Sequence, residues 1–425
     1  MSPHHVVETT VRDAYGKLIA YLAVNWRDLE AVEDALGDAL LSALELWPQI
    51  GIPNKPEAWL LKVARRRLID RARRDRVSER ALPALLSMSE EVQQKTSFGT
   101  SFPDERLKMM FLCTHPDIDP SVRTPLMLQT VLGINAGHIA SAFVVKPSAM
   151  GQRLTRAKAK IRTDRLMFTM PEVEELPGRL DAVLEAIYAA YGSGWEILAG
   201  VDSRHKGLVD EAIYLGRLLT KYMPDEPEVQ GLLSLMLHCE ARRKARRDDT
   251  GNYVPLSEQD TSRWSASLMM EAEQCLHTAA RSGRIGRFQL LAAIQSVHSQ
   301  RARTGCTQWE EIALLYEGLI RLSPTIGVLV GRAAAVAEAY GTDKGLTLLE
   351  AIPQAKIANY QPYWALAAHL YENMDKIEEA QAAYSRAIGL CEDLSVKQFL
   401  HQRAKVRIVD GGFGRSPERS RLHSN

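Results

Sequence analysis

Paired cysteines are missing from this chain. Cys113, Cys239, Cys275, Cys306 and Cys391 stand far apart and form no C-x-x-C pair. That spacing argues against a zinc site or disulfide framework and for free thiols in a reducing cytoplasm. Long apolar runs are missing too. No stretch of ~18 uninterrupted apolar residues occurs, so no spanning helix and no membrane partner is expected. The opening MSPHHVVETTVRD lacks a cationic patch followed by an apolar run, so a secretory signal is not expected. Catalytic signatures are equally scarce. There is no G-x-x-x-x-G-K-[ST], no G-x-G-x-x-G and no H-E-x-x-H. Cys113 and His115 are followed by Pro116 without an indicated acidic partner, and buried structural residues are the simpler reading. No catalytic residue, metal or cofactor is assigned, and an enzyme is the least supported class. Charge of one sign is also lacking: the net charge of +1 argues, at first sight, against nucleic acid.

What is present reverses that last inference. Residues 1–165 hold 24 Lys and Arg against 19 Asp and Glu, and the remainder holds 29 against 33. A basic front and an acidic rear cancel in the sum. Within the front, Glu30, Glu33, Asp34 and Asp38 form an acidic block. Lys62, Arg65, Arg66, Arg67, Arg71, Arg73, Arg74, Arg76 and Arg80 form a basic one. At 425 residues the chain holds two to four domains.

Helical spacing dominates and strand-like alternation is nearly absent, which gives an all-α fold. Residues 29–47 place Val32, Leu36, Ala39, Leu40, Ala43 and Trp47 on one stripe. Pro48 and GIPNKP are expected to end that helix. A second helix follows from about Glu57 to Arg76, with Leu61, Ala64, Leu68 and Ala72 facing inward. Polar, aperiodic residues 86–104 read as a linker. Three helices are then expected at Pro120–Leu132, Asn135–Phe143 and Pro147–Arg165, the last two separated by a gap of helix-turn-helix length. Further on, 361–394 fits the 34-residue tetratricopeptide template through Trp364, Ala368, Tyr371, Ala380, Tyr384 and Ala387. More degenerate units are expected upstream at 309–352. The tail DGGFG, from Asp410, reads as a flexible end.

Three constellations carry chemistry. Glu30, Asp34 and Asp38 share a helix face at i, i+4, i+8, where like charges cost a few tenths of a kcal/mol per pair unless a basic partner covers them. Taken alone, this block is better explained by a solvated face. The arginine-rich helix is stronger evidence, because counterion release on phosphate binding needs clustered cations. Trp59 at its head is either a core anchor or a ring that stacks on an unpaired base. Third, PSAMGQRLTRAKAKI offers Ser148, Gln152, Arg153, Arg156 and Lys158, side chains that read base edges or hold phosphate. Its Met150, Leu154, Ala157 and Ile161 turn inward.

Together these residues resemble a family. AVEDALGDALLSALELWP followed by PEAWLLKVARRRLIDRARR, within Tyr15–Arg76, resembles region 2 of extracytoplasmic-function sigma factors of bacterial RNA polymerase. The run 111–161, from FLCTHPDIDP to TRAKAKI, looks like their region 4. LSEQDTSRW (256–264), FQLLAAIQSVHS (288–299) and WEEIALLYEGL (309–319) resemble the subgroup with a tetratricopeptide-like C-terminal extension.

The resemblance implies two small helical sigma domains, at 1–80 and 106–168, joined by a linker at 81–105. A helical extension at 170–300, repeats at 301–410 and a tail at 411–425 would follow. Partners would be core polymerase, through the β′ clamp and β flap, promoter DNA, and a protein regulator at the repeats. Glu33, Asp34 and Asp38 would dock on the clamp. Trp59, Lys62, Arg65, Arg66, Arg67, Arg71, Arg73 and Arg74 would capture and melt the −10 element. Ser148, Gln152, Arg153, Arg156 and Lys158 would enter the −35 major groove.

Three departures stand out. Ala64-Arg65-Arg66 replaces the usual Ala-Arg-Asn before Asp70, His138 stands where an acid is usual, and Gly331 replaces an Asn before Arg332-Ala333. The competing reading is a one-component helix-turn-helix regulator whose repeat domain senses a ligand or peptide.

Overall fold

The computed structural model describes residues 3–75, 104–143, 145–172, 174–196 and 208–410. The chain divides into two compact units, 1–219 and 220–425, a boundary that falls inside the expected 170–300 extension. Among the described residues there is no strand, only one isolated bridge between Arg247 and Tyr253, so the all-α expectation stands. No described helix is long and apolar enough to cross a membrane. The proposed linker lies almost wholly outside the described residues, as do Arg76, Arg80 and the tail from Gly411.

The first unit begins with α1 (Pro3–Trp26), α2 (Leu29–Ile50) and α3 (Pro56–Asp75). Asp28 caps α2 by accepting the Ala31 N–H at 3.1 Å, which satisfies a donor the helix start leaves free. Leu18, Ile19, Val32, Leu36, Trp47, Leu60, Leu61 and Leu68 close a core between the three helices. Pro48 does not end α2. It sits exposed in the last turn, where losing one backbone donor is tolerated, and the helix runs on to Ile50. Gly51 stops it, at φ +87°, donating its N–H to the Trp47 carbonyl at 3.1 Å.

Next come α4 (Arg106–Cys113), α5 (Pro120–Thr130), α6 (Ala136–Ala142) and α7 (Pro147–Thr163), then α8 (Leu176–Glu196) and α9 (Leu208–Tyr222). Asp119 caps α5 through the Ser121 N–H at 2.8 Å, and Asn135 caps α6 through the His138 N–H at 3.0 Å. The His138 ring turns back on the Asn135 amide, so this departure is absorbed in the cap. Pro147 opens α7, and Met150, Leu154, Ala157 and Ile161 are buried beneath it. Gly16 lets this group approach α1: a Cβ there would lie 1.8 Å from the Val131 carbonyl oxygen.

In the second unit, helix Pro227–Ala241 packs against both Ala266–Ala280 and Arg287–Ser299. Helices Trp309–Leu322, Ile326–Tyr340 and Thr342–Glu350 then pack in succession, as do Gln361–Asn373 and Ile377–Leu390. In this last pair Ala368, Ala380, Tyr384 and Ala387 are buried, and the partly buried Trp364 donates from Nε1 to the Ile357 carbonyl at 3.1 Å. Gly331 also finds its reason here. A Cβ there would meet the Tyr316 hydroxyl at 2.4 Å, so an Asn at this position requires that ring to move.

Candidate functional site

The acidic helix and the basic helix lie side by side. Between α2 and α3 runs an open groove of about 980 Å³, lined by Asp34, Asp38, Leu41, Leu44, Arg67 and Arg71 among others. Arg71 Nη1 donates to Asp34 Oδ2 at 3.1 Å with both side chains largely exposed, and Asp38 is exposed as well. Leu41, 60% exposed, gives the groove an apolar wall that alternation of charge alone would not have indicated. Acid, cation and apolar surface in one groove suit a partner helix bearing basic and hydrophobic side chains.

The α3 cations divide into two sets. Lys62, Arg66, Arg67 and Arg73 are exposed, and Arg73 Nη1 stands 4.0 Å from Asp70. Arg65 is buried to 8% exposure with its guanidinium 5.7 Å from the centre of the Tyr21 ring. Burial lowers its pKa, and the Tyr21 hydroxyl partly opposes that through a hydrogen bond and its charge. Arg65 is thus enclosed beside α1, whereas Arg66, which stands where the resemblance expects Asn, is exposed. Trp59 is half-buried, with its ring edge-on to Trp47 at 5.5 Å, so it works at least in part as a core anchor. The Arg74 side chain lies outside the described residues.

On α7, Ser148, Gln152, Arg153 and Arg156 are exposed along one side. Lys158 is not. Its ammonium donates to both Glu33 carboxylate oxygens, at 2.6 and 2.8 Å, and the two side chains are 10% and 21% exposed. Burial raises the Glu33 carboxyl, and Lys158 opposes that only in part. Beside this pair, Tyr15 is also pushed up by burial and by the Glu33 charge. Arg162 extends the contact, 3.6 Å from Asp28 and 3.7 Å from Glu30. Glu33 and Lys158, expected on two separate partner surfaces, are thus engaged with each other. The cause is steric: α7 lies on the start of α2, and the flank of each apolar stripe becomes the seam.

Cys113 is buried 3.5 Å from the Thr130 hydroxyl, and burial pushes its thiol up to about 12, a protonated packing residue. His115 does have an acidic neighbour, Asp117 at 3.5 Å, but this pair lies near the surface.

Comparison with known proteins matches two segments of the chain. Residues 11–77, which span α1 to α3, match Sigma-70 region 2. The chain thus carries a Sigma-70 region 2 domain at its N-terminus. A region 2 of this kind implies binding to core RNA polymerase and promoter DNA. Residues 179–280 match a family of unknown function, DUF6596. An uncharacterized protein of Rhizobium meliloti (strain 1021) is 35% identical over 395 residues, covering 92% of each chain, and the chain belongs to the same family as that relative. No solved structure matches the chain.

Proposed function

We propose that this chain is a sigma factor of the extracytoplasmic-function type. It directs core polymerase to promoters with two spaced elements and assists opening of the duplex. The observation that carries this is the coincidence of the region 2 match with a three-helix core that presents a mixed acidic and apolar groove beside a row of exposed arginines. Asp34, Asp38 and Leu41 would seat the clamp of the β′ subunit. Lys62, Arg66, Arg67, Arg71 and Arg73 would hold the −10 backbone, and Trp59 would meet an unstacked base. Helices α6 and α7 act as a helix-turn-helix. Ser148, Gln152, Arg153 and Arg156 enter the −35 major groove, and the β flap holds this domain. The rear helices, read as tetratricopeptide-like repeats, regulate the activity through a protein partner.

Run-off transcription with core polymerase on the promoter upstream of this protein's own gene tests the reading. A specific transcript is expected, lost when Asp34 and Asp38 are reversed to Lys. Replacing Arg66, Arg67 and Arg73 with Ala should lower the salt slope of DNA binding by about 3, and Arg153 with Arg156 by about 2. Absence of both transcript and core binding overturns the proposal. Specific DNA binding without core binding would instead favour a one-component regulator.

A further inference from the structure

The second unit holds two arginines, one buried and one half-buried, that have no acidic partner among the described residues. Arg242, at the end of helix Pro227–Ala241, is 6% exposed. Its Nη2 donates to the Gln295 side-chain oxygen, and its Nη1 is buried without a hydrogen-bond partner. Arg301 donates from Nη1 and Nη2 to the carbonyls of Ser257 and Gln259, while its Nε is buried and unpaired. Both guanidinium groups flank one ring, 5.9 and 5.3 Å from the centre of Trp264. Trp264 is 5% exposed, and its Nε1–H is also buried without an acceptor. One acceptor in the cluster, the Gln259 side-chain oxygen, lacks a donor.

Two of the chain's other buried arginines meet carboxylates: Arg106 pairs with Asp104 and Glu211, and Arg179 with Glu175. A buried cation without a counterion is unfavourable, and two around one ring also repel each other. His298 registers the excess charge: burial, then Arg242 and Arg301, hold its imidazole at about 4, so it stays neutral and relieves nothing. What the cluster lacks is negative charge with acceptor oxygens, and a hydroxyl to meet Gln259. Arg301 is only half-buried, which leaves a side for entry.

We propose that Arg242, Arg301 and Trp264 form a binding site for a small oxyanion, a phosphate or carboxylate group, in the helical extension. The site does not depend on the sigma reading, because its occupancy is measured without polymerase.

The test is calorimetric titration of the full chain with inorganic phosphate and, separately, with succinate, each against chloride at matched ionic strength. Saturable binding of one probe is expected, and the probe that binds names the source. Arg301→Gln, at the half-buried edge, and Trp264→Phe, which keeps the ring but deletes the N–H, should each weaken it about tenfold or more. Circular dichroism confirms that both variants remain helical. Binding of neither probe beyond chloride overturns the proposal, as does binding unchanged in both variants.

Discussion

Helices α3 and α7 look alike as sequences, each an apolar stripe among arginines and lysines, yet they are held in place differently. α3 is pinned by neighbours close in the chain, α1 and α2, through Leu60, Leu61, Leu68 and the Trp47–Trp59 contact. α7 reaches across the unit and is held on α2 by the Lys158–Glu33 pair, 125 residues apart. The cations each helix keeps exposed are those opposite its stripe, and those it surrenders, Arg65 and Lys158, stand immediately beside Ala64 and Ala157. A basic helix is therefore two populations of charge, one for partners and one for seams.

The largest expected effect comes from breaking the seat of the distant helix. Gly16→Ala places a Cβ 1.8 Å from the Val131 carbonyl, a backbone atom that cannot swing aside. We expect a loss of about 3 kcal/mol or more in thermal unfolding, and loosening of α5 to α7 in amide exchange before α3. Equal exchange in both groups would mean that α3 depends on this seat as much as α7 does.

Next in size is Lys158→Met, which leaves Glu33 enclosed without its cation at a cost of about 2 kcal/mol, reduced here because the pair is not fully dry. Arg156→Ala, on the exposed side, should change stability by less than about 0.5 kcal/mol. The pH dependence has a definite sign. Glu33 in the folded chain titrates above its ordinary 4.5, so its contribution to stability is full below that value and falls as pH rises through the folded pKa. Removing Lys158 raises that pKa further. The gap between variant and parent in melting temperature should therefore widen from pH 4.5 to pH 7. A double variant with Glu33→Gln should close much of the gap.

These expectations also mark what periodicity could reveal. Val32, Leu36, Ala39, Leu40, Ala43 and Trp47, then Leu61, Ala64, Leu68 and Ala72, then Met150, Leu154, Ala157 and Ile161 are legible as inward stripes, and all are buried except Leu40, which is half-buried. Spacing of 3.6 residues reports the centre of a helix face well. Its flanks are decided by a second helix that periodicity does not name, which is why Arg65, Lys158 and Glu33 read as free charges. Pro48 misled through a real local rule, the loss of one donor, whose effect is small in an exposed last turn. The arginine pair around Trp264 had a faint signal in LSEQDTSRW, where Gln259 and Trp264 lie close in sequence. Arg242 and Arg301 join them only through folding.

The smallest effect separates seam charge from partner charge within α3 itself. Arg71 bridges to Asp34 at 3.1 Å, but its side chain is 43% exposed and that of Asp34 65%. Water screens such a pair, so Arg71→Ala should cost no more than about 0.5 kcal/mol. The same change removes a cation from the groove wall and exposes the Asp34 carboxylate to a partner. Stability and core-polymerase affinity should thus part company: the melting temperature stays nearly fixed while the association rate at low salt changes measurably. A drop in stability as large as that of Lys158→Met would place Arg71 in the seam population, and the two-population description of α3 would fail at that residue.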